Sequence, residues 1–369
     1  MEKIVIMAQT PPPFHGQSVM QKYLVDVKWD WCEKEHIRLD YSKSIREVAS
    51  FNFGKIFKLV KIISKIVVSR MRKPIAILYY PPAGPYRVPL YRDICTLLFA
   101  KMFARRIVLH FHAGGLTELI NRLTWAERFF ARLAFKGVDG AVVLLPWLKT
   151  EVEWFKPKKT FVVPNGIEDV IKRNILREKP VATVILFVGN LKEEKGIFVL
   201  LEAATKLKEK GKAFQIRIMG ETHSDEVLQS IQYYVSRHFL TENIILLGGR
   251  TGEEKWKEFH DAHIFCLPTY ATEAMPVSIL EAMMFSLPVV TTNWRAIPDM
   301  ITDNEQGLLA EVKSAQSLAD KLTFLIDDSD RAAGMGQEGR ARFVQMFSIE
   351  NHLHMMSEVF KSGLIKKTK

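Results

Sequence analysis

Cysteine is nearly absent from this 369-residue chain. Cys32, Cys95 and Cys266 stand apart among apolar or aromatic neighbours with no paired spacing, which argues against a disulfide framework; they read as reduced core residues of a cytoplasmic protein. No apolar run is long enough to span a bilayer, and the N-terminus enters a strand pattern at Lys3 to Ala8 instead of a signal peptide. Repeats and low-complexity segments are missing, and neither a Walker loop nor a G-x-G-x-x-G turn occurs. Acidic residues are scarce only in the first half: residues 1–165 hold 27 Lys and Arg against 13 Asp and Glu, whereas the remainder holds 25 against 28. The net charge of +11 therefore belongs to the first half, and it invites nucleic acid, an anionic membrane surface or an acidic substrate.

What is present is a regular alternation of short β-rich runs with helical stretches. The pattern predicts strands at 4–8, 36–41, 76–80, 107–112, 141–145 and 161–164, then at 184–188, 214–219, 244–247, 264–267 and 289–292. Near-continuous apolar strands spaced by helix patterns mean parallel sheets covered on both faces, so two series mean two doubly wound α/β domains. Polar residues at 164–180 interrupt the alternation and mark the junction. Ligands of such sheets bind beyond the strand C-termini, in a cleft if the domains face each other.

The loops after the strands carry the chemistry. "QTPPPFHGQSVM" (9–20) sets Gly16 before a helix, either a phosphate approach or an ordinary Pro/Gly loop. "HFHAGG" (110–115) puts His110 and His112 on one strand face, His112 nearest the C-terminal edge; they are core histidines or functional ones, and a weak metal signal. In "ILFVGNLKEEKGIFVLLEA" (185–203), Gly189 ends a strand and Lys195 stands where an ammonium can meet phosphate oxygens. "IMGE" and "LGGR" place Gly220 and Arg250 just past strands. "DDSD" (327–330) is a metal-holding D-x-D or, more simply, a turn and N-cap. Lys55, Lys58, Lys61 and Lys65 recur at helical spacing in an acid-free stretch (53–73), opposite an aliphatic face: a solvated side or an anionic-lipid patch.

In "ATEAMPVSILEAM" (271–283), Pro276 begins a helix, leaving Glu273 in the loop before it and Glu281 in its second turn. The helix N-terminus suits an anion such as phosphate, and two carboxylates beside it suit hydroxyls: the pattern of a nucleotide sugar. Caps or surface charge are the plainer alternative.

Taken in order, these loops resemble the family-4 glycosyltransferases, retaining enzymes of the GT-B fold, over nearly the whole chain. Glu273 and Glu281 match the family's E-x7-E motif, "GNLKEEKG" (189–196) its G-R-L-x-x-x-K-G, and "PNGI" (164–167) its domain end; "PPPFHG" and "HFHAGG" match the donor loop and catalytic-histidine strand. The resemblance implies that His112 contacts the donor sugar, Glu273 holds sugar hydroxyls and Glu281 binds ribose. Lys195 and the backbone of Ala274, Met275 and Val277 around Pro276 would then neutralise the diphosphate without metal. Asn190 stands where relatives have arginine, with Arg250 as a possible helper; His15, Ala274, Met275 and Ser286 also depart from the pattern.

The resulting expectation is a two-domain α/β GT-B protein: residues 1–167 on the acceptor side, 168–346 binding the nucleotide sugar, and 347–369 packing back on the first domain. Its function would be metal-independent, hexosyltransferase-type transfer to a lipid-linked or other saccharide acceptor, without cofactor, on the inner face of the cytoplasmic membrane. Gly16, Gly189 and Gly220 join the donor site; Arg87, Lys55, Lys58, Lys61 and Lys65 serve acceptor or membrane. A nucleotide-sugar sensor of the same fold is the alternative. A nucleic-acid binder is a weaker one, because the basic stretches are aliphatic and lack interleaved aromatics.

Overall fold

The computed structural model describes residues 1–12, 16–39, 53–171, 182–222 and 224–364. These divide into two compact units. Unit 1 comprises Met1–Gly166, Thr272–Met275 and Ile349–Lys369, and unit 2 Ile167–Ala271 and Pro276–Ser348. The division falls one residue before the expected junction, and the return comes at Ile349. The four residues around Glu273 group with unit 1, which no sequence pattern indicated.

Unit 1 contains β1 (Glu2–Ala8), α1 (Gly16–Asp26), β2 (Cys32–Arg38), α2 (Phe53–Arg72), β3 (Ile75–Tyr80), α3 (Arg87–Phe103) and β4 (Ala104–Phe111). It continues with α4 (Leu116–Arg122), α5 (Trp125–Phe135), β5 (Gly140–Val143), α6 (Lys149–Val152) and β6 (Thr160–Val162). Its six parallel strands run in the order β2-β1-β3-β4-β5-β6. The first crossover steps one way and the next four the other. With right-handed connections this puts α1 on one face of the sheet and α2, α3 and α5 on the opposite one.

Unit 2 contains β7 (Thr183–Val188), α7 (Ile197–Glu209), β8 (Phe214–Met219), α8 (Asp225–Arg237), β9 (Ile244–Gly248), α9 (Gly252–Asp261), β10 (Ile264–Leu267) and α10 (Val277–Met284). After these come β11 (Val289–Thr292), α11 (Ile297–Met300), β12 (Gly307–Ala310), α12 (Ala315–Asp327) and α13 (Ser329–Arg342). All strands are parallel, in the order β12-β11-β10-β7-β8-β9. Order reverses between β7 and β10, and the crevice beyond that switch point is where such sheets take ligands.

The chain closes with α14 (Ile349–Leu364), grouped with unit 1. Its Met356, Val359 and Phe360 join Ile4, Ile6, Leu24, Ile77 and Tyr79 in one core cluster. The buried face spaced at 352, 356, 359 and 360 is helical, so the segment packs as a core element.

Several expectations need correction. Cys32 and Cys266 are buried, but Cys95 is exposed on α3, because its turn of the helix faces away from the sheet. Strand β12 was missed: "GLLA" is too short to show a period. Strand β2 begins at Cys32 rather than at residue 36, and residues 40–41 lie outside the described set. The aliphatic face of α2 is only partly covered. Ile62, Ile66 and Ser69 are buried, while Phe57, Val60, Val68 and Met71 are exposed among the lysines. Asp328 in "DDSD" is the N-cap of α13, accepting from the Arg331 N–H at 2.9 Å.

Candidate functional site

In unit 1 the histidine loop leaves the sheet at β4. His110 and His112 do share one face, with ring centroids 4.0 Å apart. His110 is fully buried, its Nδ1 2.9 Å from the Tyr79 hydroxyl, and the ring of His352 from α14 stacks 6.1 Å away. The Nδ1 of His352 lies 2.7 Å from the Pro164 carbonyl oxygen. Burial holds the His110 pKa well below its usual value, with His112 and His352 adding to the shift, so this ring is neutral. Burial also lowers His352.

His112 follows β4 and lines a small recess with Pro82, Gly84, Pro85, Phe111 and Gly114. The buried carboxylate of Glu151 then fixes the turn, accepting from the N–H groups of Gly115 (3.2 Å) and Thr117 (2.8 Å). The two glycines admit a second chain segment. A β-carbon on Gly114 would lie 3.4 Å from the carbonyl of Glu273, and one on Gly115, whose φ is +88°, would lie 2.9 Å from Thr272. Glu273 is thus delivered, backbone first, to a loop two residues from His112.

In unit 2 the loops after β7 and β10 close on each other at the switch point. The Tyr270 N–H donates to the Glu194 carbonyl at 2.8 Å, and the Tyr270 hydroxyl donates to the Glu193 carboxylate at 3.2 Å. Gly196 has φ +80°, and a β-carbon there would overlap the Pro268 carbonyl. Glycine is thus required at "KG" both for its dihedral and for the approach. Lys195 ends a short 3-10 turn just before it, and Asn190 is exposed at the start of the same loop. Gly189 and Gly220 also touch, because a β-carbon on Gly220 would overlap the Gly189 carbonyl.

Helix α10 has Pro276 at its N-cap, one position before the first helical residue, and no side chain among the described residues caps that end. Ala274, Met275 and Pro276 are buried before it and Val277 begins it. Glu281 is buried and accepts from Lys255 of α9 at 2.6 Å. Burial raises its pKa, opposed by the lysine's charge and hydrogen bond. Arg250 reaches Glu258 at 3.1 Å, and the same buried carboxylate accepts from Arg217 at 3.0 Å. Sequence reasoning missed Lys255, Glu258, Glu151, Tyr79 and His352, since none falls in a motif.

The remaining candidates lie elsewhere. Arg87, on α3, donates to the Arg122 carbonyl and sits 3.7 Å from Glu127, joining α3 to α4 and α5. Lys58, Lys61 and Lys65 lie along α2; Lys55 is in the same helix, its side chain outside the described set. Gly16 begins α1. Among the described residues no cluster of three His, Cys, Asp or Glu could hold a metal ion, and no helix is long and apolar enough to cross a membrane.

Two parallel-sheet Rossmann-like domains of this kind define the GT-B architecture, and solved structures agree. The chain superposes on the sucrose-phosphate synthase of Thermosynechococcus elongatus with a TM-score of 0.75, at 16% identity over 98% of this chain and 99% of that one. A glycosyltransferase of Rickettsia africae ESF-5 gives 0.75, at 18% identity over 100% and 99%. Anabaena Alr3699/HepE in complex with UDP and glucose gives 0.71, at 15% identity over 98% and 100%.

Residues 169–342 match the family model for glycosyl transferases group 1. WcaL of Escherichia coli K12, provisionally assigned to colanic acid biosynthesis as a glycosyltransferase, is 24% identical over 76% of this chain and 69% of its own length. AmsK, the amylovoran biosynthesis glycosyltransferase of Erwinia amylovora, is 34% identical over 37% of this chain and 34% of its own length. These findings support a group 1 glycosyltransferase.

Proposed function

We propose that the protein is a retaining, metal-independent glycosyltransferase that moves a sugar, of hexose type, from a UDP- or GDP-linked donor to an acceptor hydroxyl. Its acceptor is a lipid-linked saccharide of cell-surface polysaccharide or glycolipid synthesis, met at the inner face of the cytoplasmic membrane. The observation that carries this reading is the separate fate of the two glutamates. Glu273 packs by its backbone on the loop of His112, whereas Glu281 stays buried in α10 with Lys255. This separation supports a reading in which Glu273 serves the transferred sugar and Glu281 the ribose.

In the reaction the bond from the anomeric carbon to the diphosphate breaks as the acceptor oxygen bonds to the same face, and the acceptor proton passes to the leaving phosphate oxygen. Negative charge grows on the diphosphate, where Lys195 and the N–H groups at the start of α10 receive it. Positive charge grows on the sugar, which Glu273 and His112 orient and stabilise. Asn190 offers no charge in place of the relatives' arginine, and Arg250 is engaged by Glu258, so Lys195 bears most of this role. The biosynthetic roles in the names of WcaL and AmsK support a saccharide acceptor, and UDP with glucose in the Alr3699/HepE complex supports the donor class.

Incubation with UDP-, GDP- and ADP-sugars, followed by release of nucleoside diphosphate, tests the proposal. Slow hydrolysis of one donor is expected, falling about a hundredfold in Glu273→Ala and in His112→Ala. Full activity in both variants would falsify the site assignment, and no hydrolysis of any bound donor would indicate a sensor.

A further inference from the structure

The exposed apolar residues of unit 1 are concentrated on one side of its sheet. Helices α2, α3 and α5 pack side by side there. Tyr91 of α3 donates to Glu127 of α5, and the Lys101 ammonium donates to the Leu133 and Lys136 carbonyls at 2.9 and 3.0 Å, tying α3 to the end of α5. Each helix turns large apolar side chains outward. Phe57 and Met71 of α2 are 78% and 80% exposed, Phe99 and Met102 of α3 are exposed, and Trp125 and Phe129 of α5 are 83% and 59% exposed. Single exposed apolar residues are ordinary, but stripes on three adjacent helices form one patch, which marks an interaction surface.

Charge identifies the occupant. Residues 53–136 hold sixteen Lys and Arg against three Asp and Glu. Of the three acids, Asp93 is buried and Glu127 is engaged with Tyr91 and Thr124. Lys61 and Lys65 on α2, Arg132 on α5 and Lys136 just after it are exposed beside the apolar stripes. A second copy of this surface would bring like charges together. Nucleic acid would stack on the rings but gain nothing from Val60, Val68, Met71, Met102 and Leu133. Aliphatic and aromatic side chains rimmed by cations match an anionic bilayer, where apolar groups enter the acyl boundary and cations meet headgroups.

We propose that the outer layer of α2, α3 and α5 docks on anionic lipid, with the Trp125–Phe129 ridge of α5 as the inserting part and the α2 lysines as its electrostatic partner. This deepens the membrane reading above. It is tested without transfer activity, so its failure is distinct from failure of the site.

Flotation of the full chain with vesicles of phosphatidylcholine containing about a quarter phosphatidylglycerol should show binding that high salt weakens, with little binding to phosphatidylcholine alone. Trp125→Ala/Phe129→Ala should lose on the order of tenfold in binding while keeping its salt dependence. Lys61→Glu/Lys65→Glu should lose a similar factor together with much of that dependence. Both pairs are surface changes, and unaltered melting would exclude misfolding. No vesicle binding at low salt, or wild-type binding by the α5 variant, overturns the proposal. So does a salt-sensitive complex with oligonucleotide that competes with vesicles, or a dimer abolished by the α5 changes.

Discussion

The two units use the same six-stranded parallel sheet for different physical ends. Unit 1 keeps two histidines neutral in its interior and leaves apolar side chains outside on three helices. Unit 2 buries carboxylates with cationic partners, Glu281 with Lys255 and Glu258 with Arg217 and Arg250. Its glycines also differ in what they face. In the loops after β7 and β8 a β-carbon on Gly196 or Gly220 would overlap a backbone carbonyl, whereas in unit 1 one on Gly114 would stand 3.4 Å from the Glu273 carbonyl and one on Gly84 would meet only side chains. Backbone cannot move aside as a side chain can, so unit 2 has the more rigid strand exits. Under the proposed function, the rigid cradle would take the charged donor and unit 1 would face the acceptor.

Gly220→Ala tests this difference most severely. Its methyl group would overlap the Gly189 carbonyl, and we expect a loss of about 4 kcal/mol with unit 2 exchanging its amides first; Gly84→Ala, facing side chains at 3.6 Å and beyond, should cost far less. Equal losses would remove the contrast. Next comes Glu258→Ala, which leaves two guanidinium groups facing an empty position and should cost about 2 kcal/mol by denaturant unfolding.

The histidines sharpen the comparison through pH. The folded pKa of His110 lies below its unfolded value near 6.5, so its contribution is present above pH 6.5 and is lost as pH falls below it. Unit 1 should therefore weaken by roughly 1 kcal/mol per pH unit below that point, a slope that His110→Gln reduces while keeping an acceptor for Tyr79. Among the described residues unit 2 has no buried histidine, so the same slope in its hydrogen exchange would contradict the assignment.

The smallest effect concerns α5. Thr124 and Glu127 form a capping box, and hydrogen bonds from Tyr91 and Thr124 hold the Glu127 carboxyl at a pKa of about 2. Glu127→Gln should cost about 1 kcal/mol or less at neutral pH and flatten the acid limb between about 4.5 and about 2, where that carboxylate is lost.

Much of this was legible in the chain. Strands 214–219, 264–267 and 289–292 were read to the residue because buried parallel strands are short, β-branched and bounded by polar turns. The glycine exits and the loop position of Glu273 followed from local rules too. What stayed hidden depends on residues far apart in sequence. Lys255 lies 26 positions from Glu281 and His352 188 positions from Pro164, and no local period links such pairs. The outward stripe of α2 was hidden for a related reason: amphipathic spacing gives two faces, but their cover depends on neighbours the helix does not encode.

The sequence by itself determined two α/β series, a basic first half and the loops that carry glycine, histidine and glutamate, because composition and period are local properties of the chain. Only the tertiary structure decided that Thr272–Met275 group with the histidine loop, that Glu281 and Arg250 have buried partners, and that α2, α3 and α5 expose one apolar and basic surface. Those outcomes depend on close packing between distant segments, where the approach of one backbone or the burial of one charge selects its partner.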